Sequence, residues 1–330
     1  MKTAIIGASG YSGEELIRLL SQHPKAELCV VTSRAQAGKR VSEYLPKLDK
    51  QLGSLKFTNL DAKNIANDNS IEVVFLALPH GVSFDYAFEL NNAGKVVIDL
   101  SADFRLNSSV TYKKFYGISH PYPELLSKTP YVIPEINKSD WIESNIIACP
   151  GCYPTSILIP LIPLIRLDLI ESTNIIINSY SGISGAGKKL SDDLLFCKIN
   201  ENLKAYGLPN HRHKSEIQEQ LNEASSKEVK LQFCPHLAPI NRGIQTTIVV
   251  PTSNSLKEIY NAWYKEYKNS PFINILDSGI FPQTQNVVGT NRIDFSAVFD
   301  QETKNLIINS TIDNLLKGAS GQAVQIFNKK

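Results

Sequence analysis

The stretch from Thr3 to Leu20 limits the possible folds more than any other. Thr3-Ala4-Ile5-Ile6 is an apolar run suited to a buried strand. Gly7-Ala8-Ser9-Gly10-Tyr11-Ser12-Gly13 follows directly, and Glu14 to Leu20 then carries apolar residues at helical spacing. Strand, glycine turn and helix in this order form the setting of a dinucleotide fingerprint. Glycines let backbone approach a pyrophosphate, and the helix start offers it unpaired N–H groups. An ordinary tight turn is the plain alternative. The fingerprint reading makes Gly7, Ser9, Gly10, Tyr11, Ser12 and Gly13 candidate cofactor contacts.

The following segments extend the same pattern. Leu28 to Thr32 reads as the second strand, and it ends in Thr32-Ser33-Arg34 with Lys39 and Arg40 close behind. An NAD site usually has a carboxylate there for the ribose 2′-hydroxyl. Ser33 and Arg34 suit a 2′-phosphate instead, so NADP(H) is the expected cofactor. Val73 to Leu78 is a further buried run ending in Pro79-His80-Gly81, and Pro79 and His80 are placed to line the cofactor site. Val96 to Leu100 ends in Ser101-Ala102-Asp103-Phe104-Arg105, where the Arg105 fork suits a phosphate or carboxylate. Tyr131 to Ile133 and Asn145 to Ala148 read as short strands. Alternating strands and helices predict a mostly parallel, doubly wound sheet.

A length of 330 residues with 42% hydrophobic content allows two domains with sizeable cores. A net charge of +2 creates no global field for nucleic acid or acidic membrane, so neither is an expected partner. No apolar run reaches the ~18 residues of a membrane span. The five cysteines are odd in number and form no disulfide framework. With no signal peptide read at Met1-Lys2, the expectation is a soluble, cytoplasmic protein.

The chemistry concentrates at Cys149-Pro150-Gly151-Cys152-Tyr153-Pro154-Thr155-Ser156. Pro150 and Gly151 force a turn, and Pro154 suits the first position of a new helix. Cys152 therefore falls where a strand ends and a helix begins, a place that favours thiolate. A buried, inert thiol is the plain alternative.

Beyond it, Asn174 to Tyr180 reads as a strand entering the flexible, glycine-rich loop Ser181 to Lys189. His211-Arg212-His213 precedes a helical segment from about Ser215 to Ala224, and can supply a general base and an anion clamp. Metal ligation is the rival, but one Cys-x-x-Cys without a second pair lacks zinc spacing, so no metal is expected. Leu231–Leu237, Gly243–Val250, Asp294–Phe299 and Asn305–Thr311 read as strands of a second, largely antiparallel sheet. Leu256, Ile259, Tyr260, Trp263 and Tyr267 form an amphipathic stripe. On that helix Tyr264 and Lys268 show a dehydrogenase-like spacing by coincidence. Ile312 to Phe327 reads as a helix. The fold class is thus α/β, a Rossmann-type NADP-binding domain followed by an α+β domain.

Taken together these motifs resemble the N-acetyl-gamma-glutamyl-phosphate reductases of arginine biosynthesis, longer type, within the aspartate-semialdehyde dehydrogenase-like superfamily. The resemblance runs nearly end to end. It rests on the glycine turn, Leu78-Pro79-His80-Gly81, Asp99 to Arg105 and Pro150 to Thr155. It continues through Gly182 to Gly187, His211-Arg212-His213, Pro235-His236-Leu237 with Arg242-Gly243, Val288 to Asn291 and Gly318 to Ala323. It implies a nucleophile at Cys152 and the acid/base at His213, with His211, Arg212 and Ser181 near the substrate. It implies Arg105 as the holder of the acyl phosphate, and Ser184, Gly185, Ala186 and Asn291 as cofactor contacts. The implied domains are 1–151, with a C-terminal helix 312–330 packing back on it, and 152–311. A homodimer or homotetramer is implied, acting on a small molecule. Three departures stand out. Cys149 replaces a frequent Asn, Ser215 replaces Pro, and Pro160 interrupts a helix that is often uninterrupted.

Other readings remain open at this point. One is a thiol redox protein using Cys149 and Cys152. Another is an NADP-binding sensor without turnover. A third is the same reaction on an acylated aminoadipyl phosphate in lysine biosynthesis, one methylene longer.

Overall fold

The computed structural model describes residues 1–48, 52–137 and 139–330. The chain divides into two compact units, Met1–Pro150 with Ala319–Lys330, and Gly151–Gly318.

In the first unit, strands β1 (Lys2–Ile6), β2 (Glu27–Thr32), β3 (Phe57–Thr58), β4 (Val73–Leu76), β5 (Val96–Asp99) and β6 (Ile146–Ala148) form one sheet. Its order is β3-β2-β1-β4-β5-β6, and every pairing is parallel. The alternation of strand side chains builds two cores, one on each face. Ile5 and Phe75 point into one with Leu16 and Ile17, while Ala4, Ile6, Val74 and Leu76 point into the other with Ala87 and Leu90. Helix α1 (Tyr11–Leu20) starts within the glycine-rich stretch, earlier than the expected Glu14, with Gly10 as its N-cap. Tyr131–Ile133 is not a strand. It makes a single bridge from Tyr131 to Ala148, because the flanking Pro130 and Pro134 have no N–H to extend a ladder.

The second unit holds a seven-stranded sheet, ordered β11-β12-β13-β10-β7-β9-β8. Its strands are β7 (Ile175–Ser181), β8 (Lys204–Ala205), β9 (Leu231–Leu237), β10 (Ile244–Pro251), β11 (Ile273–Ile275), β12 (Ile293–Asp300) and β13 (Asn305–Ile312). Pairing is antiparallel except for β7 with β9 and β11 with β12. One face is buried; along β7 and β10 burial alternates residue by residue. Helices α2 (Cys152–Arg166) and α3 (Leu256–Tyr267) pack there, and α4 (Arg212–Ala224) packs beside α2.

Two sequence expectations about α2 need correction. The helix begins at Cys152, not Pro154, with Gly151 as N-cap. Pro154 is tolerated because the first amides of a helix have no intrahelical acceptor anyway. Nor does Pro160 interrupt it, since α2 runs unbroken through Pro160 and Pro163. Each proline lacks the N–H that would bond the carbonyl four residues back. Tertiary partners fill the gap: Ser310 Oγ donates to the Ser156 carbonyl at 2.7 Å, and the Tyr267 hydroxyl donates to the Ile159 carbonyl.

The expected helix 312–330 also starts later. Ile312 still pairs in the sheet, with Ile244 and Ile293. The Asp313 carboxylate then accepts the Leu315 and Leu316 amides at 2.8 and 3.1 Å, turning the chain. A π-helical turn covers Leu316–Ser320, and α5 (Gly321–Lys329) follows. Within the first unit, α5 packs on α1, Phe327 meets Phe75 edge-on at 5.8 Å, and Ser320 Oγ donates to the Ser12 carbonyl at 2.8 Å.

Candidate active site

In the first unit, the glycine turn occupies the carboxyl end of β1. Gly7 has φ +83°, and a β-carbon there would lie 2.4 Å from the Ala77 carbonyl oxygen. A β-carbon on Gly13 would lie 2.6 Å from Ala8 backbone. Gly10, by contrast, has nothing nearer than 3.6 Å, which leaves its backbone open to a ligand. Ser9 Oγ and Ser33 Oγ are hydrogen-bonded at 2.7 Å, joining the turn to the end of β2, where Arg34 is exposed. A glycine cradle, an unblocked helix start and a serine–arginine edge without a carboxylate fit a 2′-phosphorylated dinucleotide.

Pro79 and His80 are exposed at the carboxyl end of β4, and the His80 ring meets Tyr116 edge-on at 5.5 Å. The loop they belong to is fastened by a buried acidic pair. Asp103 accepts the Gly81 and Ser83 amides at 2.7 and 2.9 Å and the Tyr112 hydroxyl at 2.6 Å. Asp99 accepts the Ser83 and Ser101 hydroxyls, both at 2.7 Å. Burial, reinforced by Asp103, pushes the Asp99 carboxyl up to about 6. Arg105 is buried, and donates from Nε to the Cys149 carbonyl at 2.8 Å and from Nη2 to the Leu100 carbonyl at 2.7 Å. Its fork is therefore held in one orientation. The Cys149 thiol is fully buried and donates to the Ala319 carbonyl at 3.7 Å.

In the second unit, Cys152 is the first residue of α2, so its thiol sits at the positive helix end. Tyr153 follows it into a cluster of rings: Tyr153 lies 5.8 Å from both His211 and His213, and the two imidazoles are 5.0 Å apart. The Tyr206 hydroxyl donates to the Tyr153 hydroxyl at 3.1 Å, which donates to the His236 carbonyl at 3.2 Å. Burial raises both phenols, Tyr206 to about 12 and Tyr153 further, with Cys152 adding to both shifts. Both are proton donors, not phenolates, at neutral pH.

His211 and His213 have different positions. His211 is the N-cap of α4, and its Nδ1 accepts the His213 amide at 3.1 Å. That nitrogen carries no proton. Burial, aided by the neighbouring Arg212 charge, lowers His211 to about 4. Arg212 itself is exposed at the first turn of α4. Glu216, one turn beyond His213, is buried and accepts the Gly151 amide at 2.7 Å.

Ser181 is buried at the end of β7, donating to the Gly182 carbonyl at 3.0 Å. The loop after it does not hang free as a flexible segment. Ile183–Ala186 is a 3₁₀ turn, tied by Gly182, Ile183 and Ser184 amides to the Gly243, Ile240 and Asn241 carbonyls. The Ser184 hydroxyl donates to the Asn241 carbonyl at 2.7 Å and accepts from Asn314 at 3.0 Å. Gly185 and Ala186 complete that turn. Asn291 lies in the loop after Gly289, whose amide donates to Asp313 at 2.8 Å. Asp313 also pairs with Arg242 at 2.9 Å.

A family model described as the semialdehyde dehydrogenase NAD binding domain matches residues 2–144, and one described as the dimerisation domain matches 152–314. The N-acetyl-gamma-glutamyl-phosphate reductase of Akkermansia muciniphila is 44% identical across 99% of this chain and 95% of its own. That of Methylacidiphilum infernorum is 43% identical across 99% and 95%. The chain belongs to the N-acetyl-gamma-glutamyl-phosphate reductase family. Among solved structures, aspartate semialdehyde dehydrogenase II from Vibrio cholerae matches with a TM-score of 0.73 at 18% identity, covering 99% of this chain and 97% of that one. The aspartate semialdehyde dehydrogenase of Candida albicans, solved with NADP, gives 0.73 at 19% identity over 99% and 97%. These two likenesses establish a shared fold.

Within this reductase-family chain, sequence reading passed over Tyr153, Tyr206, Glu216, Asp103 and Asp313. Only Glu216 left a usable signal, its place one helical turn after His213. The others owe their place to partners distant in the chain, such as Arg242 for Asp313 and Gly81 for Asp103.

Proposed function

We propose that this chain catalyses NADPH-dependent reduction of N-acetyl-L-glutamyl 5-phosphate to N-acetyl-L-glutamate 5-semialdehyde and phosphate, through a thioester on Cys152. The observation that carries the mechanism is Cys152 as the opening residue of α2, with the His213 helix packed alongside. The relatives above are named for the glutamyl substrate and lend no support to the aminoadipyl alternative.

His213 takes the thiol proton as Cys152 attacks the acyl carbon, and passes it to the departing phosphate. Arg105, its fork pinned by the Leu100 and Cys149 carbonyls, is assigned to the phosphate. NADPH, when bound, supplies the hydride that the thioester accepts. Gly7 to Gly13 and Ser33 with Arg34 are the residues assigned to hold it, with Pro79, His80, Ser184 to Ala186 and Asn291 as further contacts. The oxyanion left on the carbon then collapses, releasing aldehyde and the Cys152 thiolate. Pro154 has no N–H and Glu216 occupies the Gly151 amide, so the Cys152 and Tyr153 amides are the assigned oxyanion donors. His211 caps the helix instead of relaying protons.

The same reading makes the protein a homo-oligomer, joined through the less buried face of the second sheet. Ile176 and Tyr180 on β7 and Gln245 and Val249 on β10 stand on that face. The description of the 152–314 family model as a dimerisation domain supports it.

The deciding experiment is the reverse assay, phosphate-dependent NADP⁺ reduction with N-acetylglutamate semialdehyde. The Cys152→Ser variant is expected to lose at least ~10³-fold of turnover while still binding NADPH. A wild type inert in this assay, or a serine variant that keeps its turnover, overturns the reading.

A further inference from the structure

We infer that Tyr44 is a positioning residue of the cofactor site, holding the glycine turn in the shape that receives the pyrophosphate. The inference deepens the proposed function and rests on its assignment of Gly7 to Gly13, and of Ser33 with Arg34, to NADPH. The Tyr44 hydroxyl donates to the Ser9 carbonyl at 3.1 Å. Ser9 is thus held at two points, since its own hydroxyl is bonded to Ser33 Oγ at 2.7 Å. The peptide that Tyr44 grips is the one joining Ser9 to Gly10. Its nitrogen end is fixed as well, because the Gly10 amide donates to the Gly7 carbonyl at 3.2 Å. Gly10 is the N-cap of α1, so the tilt of this one peptide aims the amides that open the helix. Amides in that position have no acceptor within the helix and are the ones a pyrophosphate takes.

Tyr44 is aimed by its surroundings. It ends the short helix Val41–Tyr44, reached directly from the stretch Arg34 to Arg40. The Val41 amide donates to the Leu55 carbonyl at 2.9 Å and the Phe57 amide to the Lys39 carbonyl at 3.0 Å, seating that helix beside β3. The Tyr44 ring meets buried Phe57 edge-on at 5.4 Å, which sets the direction of the hydroxyl. The segment assigned to the 2′-phosphate therefore ends in a group that grips the pyrophosphate turn, and Ser33 grips the same residue of that turn from the end of β2. A carbonyl oxygen beside an anion site repels the anion, and a hydroxyl donating to it offsets part of that repulsion. Tyr44 needs no contact with the cofactor to do either.

Tyr44→Phe removes one hydroxyl and keeps the ring on Phe57. Fluorescence titration is expected to show the Kd for NADPH raised ~3- to 10-fold, the worth of one hydrogen bond, with kcat at saturating NADPH and the melting temperature kept. The Kd for NADH is expected to rise by the same factor, because both cofactors carry the pyrophosphate. Ser33→Ala and the double variant complete a cycle. The double variant is expected to bind NADPH more tightly than the product of the two single losses predicts, since Ser9 released at one point gains less from the other. Wild-type Kd values in Tyr44→Phe overturn the inference. So does a rise confined to NADPH, which places Tyr44 at the 2′-phosphate itself, and so does a double variant that equals the product. Titration reads the grip without turnover, so failure of the cofactor reading shows up separately, as a wild type that does not bind NADPH.

Discussion

A β-carbon on Gly318 would lie 2.7 Å from the β-carbon of Cys152. The nucleophile's side chain takes the place that any residue other than glycine would need. Gly318 lies in the π-helical turn Leu316–Ser320, and its amide donates to the Asp313 carbonyl at 3.0 Å, which holds the close approach in register. Gly318→Ala is therefore expected to displace Cys152 and cost ~10²-fold in kcat, with NADPH affinity retained. Steady-state kinetics and NADPH fluorescence titration check both halves.

The two histidines are expected to separate by mutation. His213→Asn loses ~10²- to 10⁴-fold in kcat, the range of a lost general acid or base. His211→Asn keeps an N-capping oxygen and most of the activity. The pH dependence of stability provides a second measure. His211 is depressed from 6.5 to about 4 because burial and Arg212 favour its neutral form. Its contribution is present above the ordinary value and is lost as pH falls through about 4. Melting temperatures of wild type are expected to drop relative to His211→Asn between about pH 6.5 and 4.

Asp99 has the opposite sign. Its folded value, about 6, stands above the ordinary 3.8, so the native state prefers the protonated carboxyl. Its contribution is present below the ordinary value and is lost as pH rises through about 6. An asparagine keeps the oxygen that accepts the Ser83 hydroxyl and the Ser101 amide. Asp99→Asn is expected to gain on wild type in melting temperature as pH rises from about 4 to about 6. Parallel melting curves across that window exclude the buried pair as a titrating site.

Cofactor preference is expected to depend on the end of β2. Arg34→Ala raises KM for NADPH ~10-fold or more, the worth of a charge-assisted contact, and leaves KM for NADH unchanged. Equal rises for both cofactors place Arg34 away from the 2′-phosphate.

The sequence revealed most where local chemistry governs. The β1 run, the glycine turn and α1 are adjacent in the chain, and Gly13 answers to Ala8 backbone a few residues away, although Gly7 also makes room for the distant Ala77 carbonyl. Five of the six parallel strands follow from apolar runs, while β3, Phe57–Thr58, is too short to show one. The same local rules misread α2, because proline arithmetic predicts a break at Pro160. The Ser310 and Tyr267 hydroxyls that prevent it lie about a hundred residues or more away, and no spacing rule reaches them. Tyr131–Ile133 was misread for a similar reason, since strand propensity does not count the N–H groups that Pro130 and Pro134 lack.

The sequence by itself determined that Cys152 lies between a tight turn and a helix, and that β2 ends in Ser33 and Arg34 without a carboxylate. Both are consequences of neighbouring residue types. Tertiary structure alone decided that His211 is a neutral cap, that Glu216 grips the Gly151 amide and that Gly318 leaves room for Cys152. Proton affinity depends on what buries a ring, and positioning depends on contacts between segments that only folding brings together.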